Sequence, residues 1–303
     1  MIEKDGRLAG LLEAGKILTA GALTWLPQSA DAPVVDALTK LVTRSVGADA
    51  VSSMAQVMER CIGPSPNEGW MDVARQNVLV RAHGYWARAR GIHRPGWSAT
   101  LEVDGIEHLE TAAAAGSGAI LWRMNFCGSH VAKQALYERG YRLVHVTRPE
   151  HGMPGNDAVS RRVVAPLYTR AEVRNLGERV QIDPSGSLTY LRLLLDRLRA
   201  NEVVSIMAEF PGRAAMSTKV FDREIEFATG APSLARSSGA ALLTMYARHL
   251  AYDHYQIVIE EPITIRGKTR DAQLADAVNA FGDRLERAVR AHPASWMGWG
   301  QLT

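Results

Sequence analysis

A histidine lies where a predicted strand gives way to a predicted helix, a common position for a catalytic group. The apolar run Gly118–Trp122 leads into Asn125–Glu138, and His130 comes directly after Gly128 and Ser129. Gly128 allows a tight turn, and Ser129 is suited to cap the helix. A neutral imidazole near pH 7 can take a proton from a hydroxyl or an amine. His130 is therefore a candidate general base, and a hydrogen-bonded structural histidine is the alternative interpretation.

Three more polar residues follow predicted strands. Glu209 follows the apolar run "VVSIM", and its carboxylate could orient His130 or hold a substrate. Arg148, in "HVTRPE", and Arg213, in "MAEFPGR", carry planar guanidinium groups that suit a phosphate or a carboxylate. Ligands of α/β sheets bind at the carboxyl ends of the strands, which is where these residues are expected. The alternative is an exposed loop acid and two solvated surface arginines.

Other chemistries have weaker support. Cys127 lies three residues before His130, but nothing in the sequence indicates an activated thiolate, so a Cys–His nucleophile is not favoured. The turn "TGAP" before a predicted helix could offer backbone N–H groups to a phosphate or an oxyanion, although a plain turn explains it as well. The segments "GSGAIL" and "PSGS" lack the GxSxG pattern of hydrolases.

The composition is that of an ordinary globular protein. The chain has 303 residues, 47% hydrophobic and 22% charged, which is enough for one large domain or two modest ones. The net charge is only +3 and no long Lys/Arg run is present, so a nucleic-acid-binding stripe is not supported. Cys61 and Cys127 are far apart and form no CxxC motif. This indicates a reducing compartment and argues against a disulfide framework or a metal site.

The N-terminal segment "LAGLLEAGKILTAGALTWLP" is apolar but interrupted by Glu13 and Lys16. A spanning helix needs about 20 mostly apolar residues, so an amphipathic helix is the better interpretation. Nothing in the segment resembles a cleavable signal peptide. We therefore expect a cytoplasmic protein, and peripheral attachment to the inner face of the cell membrane is a second hypothesis.

The order of predicted elements indicates an α/β fold. Residues 1–95 are predicted to form a helical N-terminal segment packed on the core, and residues 96–303 an α/β core that makes one globular unit. Strands are predicted at Thr100–Val103, Gly118–Met124, 141–148, 201–210, 241–250 and 255–265, and helices at Gly105–Ala115, Ser129–Arg139, Asp157–Leu167, Ser187–Ala200, Ala231–Ser238 and Thr269–Ala291. Strands that alternate with helices predict a mostly parallel or mixed sheet covered on both faces.

Several motifs occur in an order that resembles a known family. The strand ending in His130 is followed by "VTRP", "NEVVSIMAEFPGR", "GAPSLARSSGAALL" and finally "HPASWMGW". This order resembles the bacterial lipid A biosynthesis acyltransferases (lauroyl and myristoyl transferases) and the related phosphatidylinositol mannoside acyltransferases, across about residues 10–300. The resemblance places the chain in the lysophospholipid-acyltransferase-like superfamily. It implies a fold like glycerol-3-phosphate acyltransferase, an αβα sandwich with a mostly parallel or mixed sheet.

The resemblance also implies residue roles. The family signature is a histidine, four residues, then Asp or Glu; the histidine deprotonates the acceptor and the acid orients the imidazole. His130 matches the histidine, but Ala135 stands at the acid position. Glu209 falls near a later acidic position of the family, and Arg148 matches the arginine of its "RP" motif.

Three hypotheses address the missing acid. Glu209 supplies the carboxylate from another strand, which we favour; Gln134 orients the ring without charge; or the protein binds a lipid without transferring an acyl group. The expected site thus has His130 and Glu209 as catalytic residues and Arg148, Arg213, Asn125 and Gln134 as substrate-binding residues.

The resemblance implies an acyltransferase that uses acyl-CoA or an acyl carrier protein as thioester donor and needs no cofactor or metal. The acceptor is a hydroxyl or an amine, on a glycolipid or on a small specialised metabolite. An acyl carrier protein and a membrane surface are candidate partners. An aminoacyl-tRNA donor is a remote hypothesis, with only the small positive charge in its favour. A non-catalytic acyl- or lipid-binding protein on the same scaffold is the alternative.

Overall fold

The structure, a computed structural model, describes residues 47–65, 69–93, 99–149, 157–183, 189–210 and 214–302, with residues 14, 15, 17–19, 21, 33, 34, 37 and 40 of the N-terminal segment. Arg213 and most of the predicted N-terminal amphipathic helix lie outside these residues. Within the described part of the chain, every helix is too short or too polar to cross a bilayer.

A seven-stranded sheet forms the centre of the fold. Its strands and those of a separate hairpin are β1 (Thr100–Asp104), β2 (Ala119–Arg123), β3 (Leu143–Thr147), β4 (Glu178–Gln181), β5 (Val203–Met207), β6 (Ala215–Val220), β7 (Arg223–Ala228), β8 (Ala241–Ala251) and β9 (His254–Pro262). The sheet order is β1-β9-β8-β2-β5-β3-β4, and β6 and β7 form the hairpin. The β8–β9 pair is antiparallel and the other pairs of the large sheet are parallel.

Helices cover both faces of this sheet. They are α1 (Ala48–Ile62), α2 (Trp70–His93), α3 (Ile106–Ala114), α4 (Ser129–Glu138), α5 (Ala165–Val173), α6 (Thr189–Arg199), α7 (Gly230–Ser238) and α8 (Arg270–Ala291). Alternate residues of β2 point to opposite faces: Ile120 and Trp122 join the apolar cluster with α1, α6, α7 and α8, and Leu121 joins the cluster with α3 and α4. Every residue of β2 is buried, as expected for a central parallel strand.

The predicted fold class is confirmed, and most predicted elements are present within one or two residues of their expected ends. Two differences affect the site. A single π-helical turn, Ser160–Val164, leads into α5, which continues to Val173 instead of ending at Leu167 as predicted. Strand β4 and the β6–β7 hairpin were not predicted. The domain boundary near residue 95 stays a prediction.

Gly128 connects β2 to α4 and fixes where α4 begins. Its φ is +83°, in the left-handed region that glycine adopts at little cost. A Cβ at this position would lie 2.8 Å from Cδ1 of Tyr255, so the turn also needs the absence of a side chain. His130 is consequently the second residue of α4, at the carboxyl edge of β2.

Candidate active site

A cleft of about 360 Å³ opens between α2, α4 and α5. Its walls include Arg88 of α2, His130, Lys133 and Gln134 of α4, and Tyr168 and Glu172 of α5. The guanidinium carbon of Arg88 lies 3.6 Å from the ring centroid of Tyr168, which holds a positive charge at the wall. The cleft therefore combines an imidazole with cationic groups and two carboxylates, Glu138 and Glu172.

His130 is one of the residues that line the cleft. Its Nε2 atom is buried and has no hydrogen-bond partner among the residues that the structure describes. Burial lowers the pKa of His130 to about 3; the positive charges of Arg88 and Lys133 act in the same direction, and the Glu172 carboxylate opposes them. The ring is therefore neutral at pH 7 and retains a nitrogen lone pair.

The carboxylate of Glu172 lies close to three cationic or polar side chains, those of Lys133, His145 and Arg179. It accepts a short hydrogen bond from Nζ of Lys133, which is only 3% exposed. Nε2 of His145 lies 3.6 Å from Oε1, and Nε of Arg179 lies 3.7 Å from Oε2. Burial lowers the pKa of Lys133 to about 8, whereas the neighbouring Glu172 charge raises it. This network joins α4, α5 and the strands β3 and β4 around one acid.

Arg123 places a second buried cation close to this network. It is 4% exposed, and its Nη1 donates to Oγ of Ser129 at 2.5 Å. Burial lowers the pKa of Arg123 to about 10, and the Glu172 charge opposes that shift. Ser129 thus contacts the last residue of β2 directly, which ties the first turn of α4 to the strand.

Glu209 lies in a different environment from the cleft wall. One of its oxygens accepts a short hydrogen bond from the Asn125 backbone N–H, and the other accepts from Nε1 of Trp296 at 2.7 Å. The residue is 2% exposed. Burial raises the pKa of Glu209 to about 7, and the two hydrogen bonds oppose the shift. Glu209 therefore joins the loop before His130 to the C-terminal segment.

The C-terminal segment is held against the same loop by main-chain contacts. The Cys127 N–H donates to Ser295 O at 2.8 Å, and the Met297 N–H donates to Asn125 O at 2.8 Å. The fully buried amide of Asn77 on α2 donates to the carbonyls of Ala294 and Trp296 at 2.9 and 2.8 Å. The loop that leads to His130 is thus held by Glu209, which follows β5, and by the "HPASWMGW" segment. Asn77 of α2 holds that segment in turn.

The other predicted site residues are divided between the cleft and its surroundings. Gln134 lines the cleft, where its Nε2 donates to Oε1 of Glu138 at 3.0 Å. Arg148 donates to the carbonyl of Phe210 at 2.7 Å, and Asn125 uses its backbone to bind Glu209 and Met297. Asn125, Arg148 and Glu209 are not among the described residues that line the cleft. Arg213 lies outside the described residues.

Ala135, which stands at the acid position of the family signature, is packed in the hydrophobic core. It is fully buried and belongs to the apolar cluster that includes Leu109, Leu121 and Leu136. A carboxylate at this position would enter that cluster. The structure instead brings a carboxylate to the neighbourhood of His130 from α5, as Glu172.

Sequence reasoning missed Glu172, Lys133 and Arg88. Lys133 carried a local signal, because it lies one helical turn after His130. Glu172 carried little signal: the predicted helix ended at Leu167, which left Glu172 without a place in the fold. Its contacts with Lys133 and Arg179 depend on tertiary structure that residue spacing does not encode.

The arrangement can support proton transfer at a cleft whose charged walls suit a polar or anionic ligand. The neutral imidazole supplies a base, and Glu172 can stabilise the imidazolium that proton transfer creates. Within the described residues, no group of three or more His, Cys, Asp or Glu side chains has the arrangement of a metal site.

The comparison with known proteins identifies the family. Residues 17–299 match the family described as bacterial lipid A biosynthesis acyltransferase, so the chain belongs to this family and the expected resemblance is confirmed. The chain is 27% identical over 204 residues to a phosphatidylinositol mannoside acyltransferase of Mycobacterium tuberculosis (strain CDC 1551 / Oshkosh), and the protein from strain ATCC 25618 / H37Rv gives the same value. Each match covers 64% of this chain and 57% of the relative.

Restoring the family acid at position 135 should harm folding. We expect Ala135→Asp to lower the free energy of unfolding by the order of 3 kcal/mol, because it buries an unpaired carboxylate among apolar side chains. The loss should shrink at acid pH, where the carboxyl is protonated. Urea denaturation measures it, with Gln134→Asp, a partly exposed neighbour, as control. Equal effects of the two substitutions at neutral pH would contradict the assignment of Ala135 to the core.

The raised pKa of Glu209 predicts a specific pH dependence of stability. Between pH 4.5, the ordinary value, and about 7, the folded protein holds a proton on Glu209 that the unfolded chain has released. The contribution of this group to stability therefore falls as the pH rises through that window. The unfolding free energy of the wild type minus that of Glu209→Gln should become smaller or more negative from pH 4.5 to 7. If the wild-type value minus the variant value stays constant or rises, the pKa of Glu209 is not raised in the folded protein.

Proposed function

We propose that the protein transfers an acyl group from a thioester donor to a hydroxyl or amine acceptor, with His130 as the general base. The observation that carries this proposal is the unpartnered, buried Nε2 of His130 in the wall of a cleft at the carboxyl edge of β2. Family membership and the similarity to the mycobacterial phosphatidylinositol mannoside acyltransferases support it.

The proposed reaction balances with this chain's own groups. The acceptor X–H gives its proton to the free imidazole nitrogen as X attacks the thioester carbonyl. The tetrahedral oxyanion then collapses, the C–S bond breaks, and the departing thiolate takes the proton back from the imidazolium. The products are the acylated acceptor and the free thiol, and His130 returns to its neutral form.

Two carboxylates have separate roles in this proposal. Glu172 stabilises the imidazolium electrostatically, because its negative charge favours the protonated ring of His130. Glu209 is a positioning residue that supports His130 through the loop, since its oxygens accept from Asn125 and Trp296. Arg148, Arg213, Asn125 and Gln134 stay proposed substrate-binding residues.

The low pKa of His130 bears on the class of acceptor. An imidazole with a pKa of about 3 is a weak base at neutral pH, but its conjugate acid protonates a leaving thiolate readily. A sugar hydroxyl depends strongly on the base because it must lose its proton as it attacks, whereas a neutral amine or hydroxylamine attacks a thioester without prior deprotonation and depends on the base much less. We therefore propose a nucleophilic acceptor on a small specialised metabolite; a glycolipid hydroxyl is the other candidate, suggested by the names of the relatives.

The donor and the place of action are part of the same proposal. Acyl-CoA and an acyl carrier protein are both thioester donors that this scheme accommodates, and an aminoacyl-tRNA is a remote third. We propose a cytoplasmic protein, with peripheral attachment to the inner face of the membrane as the alternative. No cofactor or metal enters the scheme.

Replacing the base should separate chemistry from binding. We expect His130→Ala to lower acyl transfer by roughly 100-fold or more, because a general base contributes about this much, while donor affinity stays similar. The assay measures acyl transfer from acyl-CoA and from acyl-loaded carrier protein, with His108→Ala on α3 as the matched control. If the wild type binds the donor but transfers no acyl group, the protein is a non-catalytic acyl-binding protein. The natural Ala135, at the position of the family acid, is the feature that favours this alternative.

The acceptor class can be tested with the same preparation. We expect the wild type to acylate amines and hydroxylamines faster than sugar hydroxyls of similar size, because the weak base assists hydroxyl attack poorly. Competition between paired acceptors, followed by mass spectrometry of the products, measures the preference. Acylation of sugar hydroxyls without any amine product would refute the proposed acceptor.

A further inference from the structure

A second, more open groove lies on the other side of α5. It has a volume of about 570 Å³ and is lined by Arg161, Thr169, Arg170, Val173, Arg179 and Gln181, with three neighbouring apolar residues. The two sides of α5 are distinct: Thr169, Arg170 and Val173 line this groove, whereas Tyr168 and Glu172 line the reaction cleft. Among the described residues, the groove lining contains three arginines and no carboxylate.

The charges of this groove are largely uncompensated. Arg161 and Arg170 are exposed, and neither side chain forms an ion pair or a hydrogen bond within the part of the chain that the structure describes. Arg179 is near an acid, but that acid is Glu172, at 3.7 Å and shared with Lys133. The groove lining therefore carries an excess of positive charge, which favours a bound anion.

We infer that this groove binds the phosphate or diphosphate group of a soluble ligand. Guanidinium groups present several N–H donors in a planar fork, which matches phosphate oxygens and allows bidentate contacts. Thr169 and Gln181 add a hydroxyl and an amide that can bind remaining oxygens. The volume lies within the range of small-molecule sites. The binding of phosphate here does not depend on the acyl transfer proposed above.

The side chain of Arg179 connects this groove with the reaction cleft. Arg179 lines the groove and lies 3.7 Å from the Glu172 carboxylate, which in turn acts on His130. An anion bound to Arg179 draws positive charge away from Glu172. Phosphate binding should therefore leave Glu172 freer to stabilise a positive charge at His130.

Isothermal titration of the full chain with inorganic pyrophosphate tests the site. The test variant is Arg161→Gln/Arg170→Gln, and the matched control is Arg162→Gln, an exposed arginine on the same π-helical turn that is not part of the lining. We expect the wild type and the control to bind alike and the double variant to bind at least about tenfold more weakly, as the loss of charge-assisted hydrogen bonds implies. Both variants replace exposed side chains, and unchanged thermal unfolding verifies their folding.

Each result decides the question. No pyrophosphate binding by the wild type, equal affinity of the double variant, or an equal loss in the Arg162→Gln control would overturn the site. Sedimentation with vesicles of phosphatidylinositol and phosphatidylcholine forms a separate arm. Vesicle binding that needs Arg161 and Arg170, in the absence of pyrophosphate binding, would make this face a membrane contact and overturn the proposal. His130→Ala should retain pyrophosphate affinity, so failure of acyl transfer leaves this result unaffected.

Discussion

The rest of the cleft depends on one largely buried carboxylate, that of Glu172. Lys133 and Arg123 are almost completely excluded from water, and Glu172 is the acid whose charge acts on both. An ammonium or guanidinium group buried without a compensating charge costs several kcal/mol. The Glu172 carboxylate, which binds Lys133 directly and acts on Arg123 through its charge, therefore helps α4 to pack as it does. Because Glu172 belongs to α5, the same interaction holds α5 against α4 and closes one side of the cleft.

This charge arrangement sets the chemistry of His130. Burial is the main cause of the low pKa of His130, and the positive charges of Arg88 and Lys133 add to it, while the Glu172 carboxylate opposes both. The ring is consequently neutral over the whole physiological range of pH, unlike an exposed histidine. The local family signature would have supplied an acid from the same helix; here the negative charge comes from another helix and is shared with Lys133, so it acts on His130 at a distance.

The sequence predicted the fold better than the site. Strands such as β2 and helices such as α4 were predictable because apolar runs and helical periodicity are local, and Gly128 marks the turn between them. Strand β4 is short, partly exposed and polar, so it gives no such signal. His130 was found from its place after a strand. Glu172 could not be found in this way, because its role depends on a contact across 39 residues of sequence with Lys133. The support that Glu209 gives to His130 stays a prediction.

The contacts between the loop before His130 and the C-terminal segment determine when this loop can fold during translation. Asn125 and Cys127 bind the backbone of Met297 and Ser295, about 170 residues further along the chain. A nascent polypeptide that already contains His130 and every parallel strand still lacks the partner of this loop. The loop therefore reaches its final conformation only after residues 295–297 have emerged from the ribosome, and a chain that stopped before them would lack the main-chain contacts that hold the loop before His130.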